Sequence, residues 1–305
     1  MEITPFSLIP SVIALAAAPL VLSVINKVKA GFAGRKGIPI LQPYRDIIKL
    51  LRKRAVYSNT TTWIFKAGPV VGLVSSLTAL LLLPMGSYPA IISFSGDFIL
   101  LAYLFGLTRF FTVIAALDTG SSFEGMGASR EVTFSALAEP ALFLGLAAMT
   151  RLTGSLSLSG IFSALNVHLW VSSGPVILLV AVAIFVIVLA ENARMPVDDP
   201  GTHLELTMIH EVMVLDHSGP DLAAIHYGAA LKLWIMGSIL VGILIPAHSG
   251  NSIMDLLAAL GGMVVLAIII GLLESSMARL RLIRIPQLLA GATGLCSIAL
   301  ILVLR

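Results

Sequence analysis

"GPVILLVAVAIFVIVLAENARMPVDDPGTHLELTMIHEVMVLDHSG", residues 174–219, decides how the chain is read. Residues 174–190 carry no charge and approach the ~20 apolar residues a helix needs to cross a bilayer. Directly after them come Glu191, Arg194, Asp198, Asp199, Glu205, Glu211 and Asp216, interleaved with His203, His210 and His217. An apolar span that ends in a dense ionisable connection is the pattern of a membrane helix meeting water.

The whole chain follows that pattern. Of 305 residues, 58% are hydrophobic and 11% charged, with a mean hydropathy of +1.01, far from the roughly 25% charged content of soluble domains. Apolar stretches of spanning length occur at about 6–25, 67–85, 98–117, 132–150, 174–190, 223–245, 254–273 and 287–304. The first is too long for a signal-peptide core, follows Glu2 rather than a basic region, and reads as a retained span. The fold expected is an all-α polytopic membrane bundle of eight transmembrane helices, one domain over 1–305, with amphipathic cytoplasmic surface helices.

Charge orients it. The connections 26–66, 118–131, 191–222 and 274–286 hold Lys27, Lys29, Arg35, Lys36, Arg45, Lys49, Arg52, Lys53, Arg54, Lys66, Arg130, Arg194, Arg279, Arg281 and Arg284, whereas the opposite side has only Arg151 and Arg305. Because basic residues are retained inside, this asymmetry places those connections in the cytoplasm and both termini outside the inner (cytoplasmic) membrane. The net charge of +3 needs no nucleic acid to explain it.

Within "LQPYRDIIKLLRK", residues 41–53, Leu41, Ile47, Ile48, Leu50 and Leu51 alternate with Arg45, Asp46, Lys49, Arg52 and Lys53 at helical spacing. That predicts an amphipathic helix along the membrane surface, serving as an anchor or as a rim for a cytoplasmic partner. The preceding "GRKGIPILQP" forces a sharp turn and presents Arg35 and Lys36 to lipid phosphates or an acidic partner.

Charges inside spans cost at least ~2.5 kcal/mol each at mid-bilayer and so mark function or pairing. They are Arg109, Glu139 and Lys232, with Asp118, Arg130, Glu131, Glu191 and Glu274 at the cytoplasmic ends. Glu131 and Glu139, eight residues apart, share one helix face, along which a proton could pass. Alternatively Glu139 pairs with Arg109 or Lys232 and locks the bundle. In 191–222, Leu204, Met208, Val212 and Leu215 recur at helical spacing behind a "THLE" capping box, predicting a helix packed below the bundle around an acidic funnel.

Several chemistries are disfavoured. The position four after His210 is Val214, so no H-E-x-x-H zinc pattern forms, and a seven-residue spacing puts the three histidines about 10 Å apart along a helix. No metal is expected. Cys296 is the lone cysteine, and "DTGSS", 118–122, is a turn without the second copy a protease would need. No phosphate loop, dinucleotide fingerprint or nucleophile elbow occurs, and the chain supplies no redox centre. A self-sufficient ion transporter and a structural scaffold remain as classes.

"GRKGIPILQPYRDIIKLLRK", "LDTGSSFEGMGASREVTFSALAEPAL", "AENARMPVDDPGTHLEL" and "ESSMARLRL" together resemble the eight-helix membrane subunit shared by respiratory complex I, as its subunit 1, and by energy-converting nickel–iron hydrogenases. "YRDIIKLL", "LDTG" with "GASRE", and "ESSMARLRL" are similar to the branch represented by formate hydrogenlyase subunit 4 and hydrogenase-4 component C. Complex I carries Glu-Arg-Lys where this chain has Ile25, Asn26 and Lys27. Two of the three glutamates expected after "PVDDP" are Gly201 and His203, with Glu205 kept, and "DHSG" replaces Glu-Tyr-Ser-Gly. These departures argue against a standard quinone site.

The resemblance implies an acidic path lined by Glu139, Glu191, Asp198, Glu205 and Asp216 with Arg130 and Arg194, Glu131 sharing the face of Glu139, and Lys232 and Glu274 as weaker candidates. It implies a docking rim of Arg35, Lys36, Gln42, Pro43, Arg45 and Asp46. The chain would bind no cofactor of its own and would be a non-catalytic subunit of an oxidoreductase complex. Its expected partners are hydrogenase-like large and small subunits and an iron–sulfur protein, which would hold the iron–sulfur clusters and a nickel–iron centre, and antiporter-like membrane subunits. The alternative is a quinone-binding, proton-translocating subunit of a complex I-like NADH or ferredoxin dehydrogenase.

Overall fold

The computed structural model describes residues 7–198, 209–246 and 249–305. Among them the chain forms ten α-helices and no strand: α1 (Leu8–Phe32), α2 (Gln42–Leu51), α3 (Trp63–Leu81), α4 (Asp97–Asp118), α5 (Ser122–Thr153), α6 (Leu158–Ala164), α7 (Val167–Glu191), α8 (Gly219–Leu244), α9 (Ser252–Ser276) and α10 (Ile285–Leu304). All but α2 and α6 are long and apolar enough to cross a membrane, giving eight spans. The protein is a multi-pass membrane bundle.

The boundaries differ from the sequence reading in instructive ways. At 32 residues, α5 is about 48 Å long, so it starts a full ten residues before the apolar run and takes Glu131 and most of the 118–131 connection into the helix. Helix α7 begins at Val167 rather than at 174, with a break at Ser173 where the backbone is non-helical ahead of Pro175. Proline disfavours helical geometry in the residues before it and removes one hydrogen bond, which the helix absorbs as a kink. The helix expected in 191–222 is absent from the described part: residues 211–214 form one 3-10 turn, and 199–208, with Leu204 and Met208, lie outside the described residues.

Lipid tails give no hydrophobic drive for helix to meet helix, so close approach by small residues matters. On α3, a Cβ at Gly68 would lie 3.1 Å from Ala115 and one at Gly72 3.4 Å from Thr108, both on α4. Helix α8 is the most enclosed span and α10 the least. The apolar core of Ile177, Ile184, Ile187, Leu231, Ile235 and Ile239 runs along α7 and α8.

The amphipathic segment is the helix α2, whose described residues are partly or fully exposed. Its attachment has a specific cause. Pro19 inside α1 cannot donate to the carbonyl of Leu15, which instead accepts from the Tyr227 hydroxyl of α8 at 2.9 Å. Tyr44 of α2 donates to the neighbouring carbonyl of Ala16. The carbonyls of Leu15 and Ala16 ahead of the proline thus form the socket that holds α8 and α2 against α1.

At the basic end the connections interlock. Thr62 caps α3 and donates through its backbone and hydroxyl to Asp118, at 2.6 and 2.9 Å. Val56 N–H donates to Ser218 Oγ at 3.0 Å, and the His217 ring stacks on Phe65 at 3.9 Å. At the opposite end, Asp97 opens α4 and accepts from Leu158 N–H at 2.7 Å, while Asp255 accepts from Ser249 N–H and Oγ–H at 2.9 and 2.7 Å and from Ser87.

Candidate functional site: a buried chain of ion pairs

Arg109 stands twelve residues into α4 from the opposite end and nine from the basic end, about 18 and 13 Å along the axis. At that depth an ionised guanidinium survives only if paired. Its Nε donates to Glu131 Oε1 at 3.1 Å, its Nη1 to Glu139, and its Nη2 to both oxygens of Glu191 at 2.5 and 2.6 Å. One guanidinium therefore joins α4 to two turns of α5 and to the last residue of α7. Lys232 of α8 donates to Glu191 Oε2 at 2.7 Å. Glu131 and Glu139 share the face expected of them, and the pairing with Arg109 is the arrangement realised.

A second set lies toward the basic end. After α7 the chain turns back through Asn192–Asp198: Arg194 N–H donates to Leu189 O at 2.9 Å, Val197 N–H to Arg194 O at 2.9 Å, and Leu280 N–H to Pro196 O at 2.9 Å. This pins the turn to the connection after α9. It brings Arg194 to Glu274 at 3.4 Å, which also pairs with Lys29 at 2.8 Å. Asp198 pairs with Arg279 at 3.1 Å and accepts the backbone N–H groups of Ile209 and His210 at 3.2 Å each.

His210 joins the two sets. Its Nδ1 faces Asp198 Oδ2 at 3.4 Å and its Nε2 faces Glu131 Oε2 at 3.1 Å. Burial alone would lower its pKa, but Glu131 and Asp198 more than offset that and hold it above the ordinary 6.5. Burial likewise pushes the Asp198 carboxyl up, while the hydrogen bond and charge of His210 and the charge of Arg279 leave it below its usual value. A narrow cleft lies between Glu131, Glu191 and His210, walled by Phe134, Ser135 and Val197.

Of the residues singled out in the sequence, Glu131, Glu139, Glu191, Asp198, Arg194, Lys232 and Glu274 belong to this chain of contacts. Asp216 does not: its side chain is exposed, and its contribution is a backbone N–H donated to Glu124 Oε1 at 3.2 Å. Arg130 is half-buried beside Glu131, and Glu205 lies outside the described residues. On the rim, Arg35, Lys36 and Arg45 are exposed, Pro43 is half-buried at the start of α2, and Gln42 donates to Asp46 at 2.7 Å.

Sequence reasoning missed two residues. Arg109 carried a signal, an arginine at mid-span, yet was treated as a lock on Glu139 rather than as the hub of three carboxylates. His210 was weighed only as a metal ligand. Among the described residues no three histidine, cysteine or carboxylate side chains are grouped to hold a metal.

A profile of the family described as NADH dehydrogenase matches residues 6–305. The chain belongs to the NADH dehydrogenase subunit 1 family. Among curated members of this family, formate hydrogenlyase subunit 4 of Escherichia coli (strain K12) is 33% identical over 97% of both chains. Hydrogenase-4 component C of the same organism is 33% identical over 79% of this chain and 75% of its own. The corresponding NADH-quinone oxidoreductase component of Rickettsia felis is 26% identical over 57% of this chain and 51% of its own. The fold is that of a chain in the membrane-bound sulfane sulfur reductase, an archaeal respiratory membrane complex, with a TM-score of 0.82, 21% identity, and 97% and 98% of the two chains covered.

Proposed function

We propose that this chain is the membrane anchor and coupling subunit of an energy-converting nickel–iron hydrogenase or formate hydrogenlyase type complex. Its basic end, in the cytoplasm, holds a hydrophilic electron-transfer arm on the rim of Arg35, Lys36, Gln42, Pro43, Arg45 and Asp46. Both termini then lie outside the inner membrane. The iron–sulfur clusters and the nickel–iron centre belong to that arm, and antiporter-like subunits flank the bundle. The family members that resemble the chain over most of its length support the assignment, as do the replaced glutamates at Gly201 and His203.

The observation that carries the coupling role is the position of Glu139. It belongs to the Arg109 network, yet its side chain is 46% exposed on the outside of the bundle, near Gly106 of α4. Beyond it toward the opposite end, the core is Leu101, Ala102, Phe105, Leu142 and Leu146. A proton that reaches Glu139 therefore leaves sideways, to a neighbouring membrane subunit, rather than straight through this chain. Redox steps in the arm move charge near the loop after α7, and the carboxylates answer by taking up and passing protons.

The test is to purify the complex through this chain and identify its partners. A partner with two Cys-x-x-Cys nickel-binding pairs and a multi-helix antiporter-like partner are expected. Co-purification with an NADH- or ferredoxin-oxidising module and quinone reductase activity would replace this reading with the quinone one.

A further inference from the structure

The paired charges of the bundle, all buried or half-buried except the 46% exposed Glu139, fall into two groups that meet at a single side chain. The inner group holds two cations, Arg109 and Lys232, and three carboxylates, Glu131, Glu139 and Glu191. With all five ionised it keeps one negative charge in excess, inside a region where an unbalanced charge is strongly disfavoured. Among the described residues, the only further titratable nitrogen within ion-pair distance of these carboxylates is His210 Nε2, 3.1 Å from Glu131. The ring sits in a loop rather than on a span, and its Nδ1 side is fixed by Asp198, which also takes two backbone N–H groups of the same loop.

We propose that His210 is doubly protonated when seated here and carries the proton that neutralises the inner group, so that the seating of the 209–218 segment sets how many protons the inner carboxylates hold. The groups facing the ring agree with this charge. Glu131 approaches from α5 and Asp198 from the turn after α7, while Lys232 of α8 acts in the opposite sense and is itself engaged by Glu191. The raised His210 pKa is consistent with it.

The proton balance is simple. In the seated state Nδ1–H is turned to Asp198, while Nε2 lies 3.1 Å from Glu131 Oε2 outside hydrogen-bond geometry, so a small rotation of the ring precedes transfer. Transfer breaks the Nε2–H bond and forms an O–H bond on Glu131 Oε2, leaving a neutral imidazole that keeps its Nδ1–H and a neutral carboxyl. If the ring instead withdraws while still charged, the inner group regains its excess charge and takes one proton from the cleft. The segment has a handle for such movement: its far end is joined to the connection before α3 through Ser218 with Val56 and to the first turn of α3 through His217 with Phe65.

The use of this device in coupling rests on the function proposed above, but the charge state does not. In the assembled complex in lipid, pH-titrated infrared difference spectroscopy should show no protonated carboxyl from the inner group near neutral pH in wild type or His210→Lys. His210→Gln should gain one, and adding Glu139→Gln should change or remove it. No gain in His210→Gln, or a protonated carboxyl already present in wild type that Glu139→Gln deletes, overturns the proposal. Should His210→Gln fail to assemble, the wild-type minus His210→Lys difference spectrum must contain an imidazolium signature at neutral pH, and a neutral imidazole there overturns it equally. His210→Lys should keep electron transfer while losing most proton translocation, and full translocation would refute the transfer step. If the charge results hold and Glu139→Gln still pumps normally, the coupling reading falls and the assignment of His210 stands.

Discussion

The two ends of this bundle use most of their buried carboxylates in opposite ways, Glu124 at the basic end being held, like those of the opposite end, by a backbone N–H. At the opposite end, Asp97 and Asp255 are 0% and 1% exposed, and the bonds described above tie each to backbone or hydroxyl donors of nearby loops. At the basic end, Glu131, Glu191, Asp198 and Glu274 are also buried, yet each meets cations from other elements. A carboxylate that caps a helix is fixed with its loop. One that shares a cation with other carboxylates can hand its charge on, and that is the difference between a fastening and a relay.

Removing the shared cation should break the contrast most severely. Arg109→Gln leaves three carboxylates without their main partner, and loss of one side of a buried pair costs about 3–5 kcal/mol. The expected result is loss of the subunit from the complex on native gels, partly restored by combining it with Glu191→Gln. A capping carboxylate should cost less. Asp255→Asn weakens charge-assisted bonds worth roughly 1.5–3 kcal/mol each, so the complex should melt earlier while proton transfer per electron stays at the wild-type value.

The spans and the surface helix were legible because apolar length and amphipathic spacing are local properties. The charge network was legible only as a set of expensive residues. That Arg109 would gather Glu131, Glu139 and Glu191 depends on how α4, α5 and α7 cross, which no local pattern encodes. The loop after α7 is legible only in part: helical spacing at Val212 and Leu215 is real, but over the described residues the tertiary contacts of Ile209 and Val212 against Gly127 and the bonds from Asp198 to the backbone of 209 and 210 accompany a single short turn at 211–214. Asp216 lies exposed beyond that turn, apart from the charge network.

Protonation should separate the two ends by a smaller margin. His210 has a raised pKa, so its contribution is complete below about 6.5 and is lost as pH rises through the higher folded value. Asp198 has a lowered pKa, so its contribution is present above the ordinary carboxylate range and is lost as pH falls through the depressed value. Amide protection at Ile209 and His210, corrected for intrinsic exchange, should therefore fall at alkaline and at strongly acid pH. Leu158 N–H, held by Asp97, should not follow the alkaline loss. The smallest effect is expected at the proline socket, where Tyr227→Phe removes one neutral hydrogen bond worth about 1 kcal/mol and should lower the melting temperature slightly without changing activity.

The most direct test of the relay is the number of protons moved per electron by the assembled complex in sealed vesicles when Glu139 is replaced by Gln. A relay through Glu139 predicts that the subunit still assembles and electrons still flow, while proton movement per electron drops to a small fraction of wild type. Proton movement equal to wild type, with the complex intact, would contradict it.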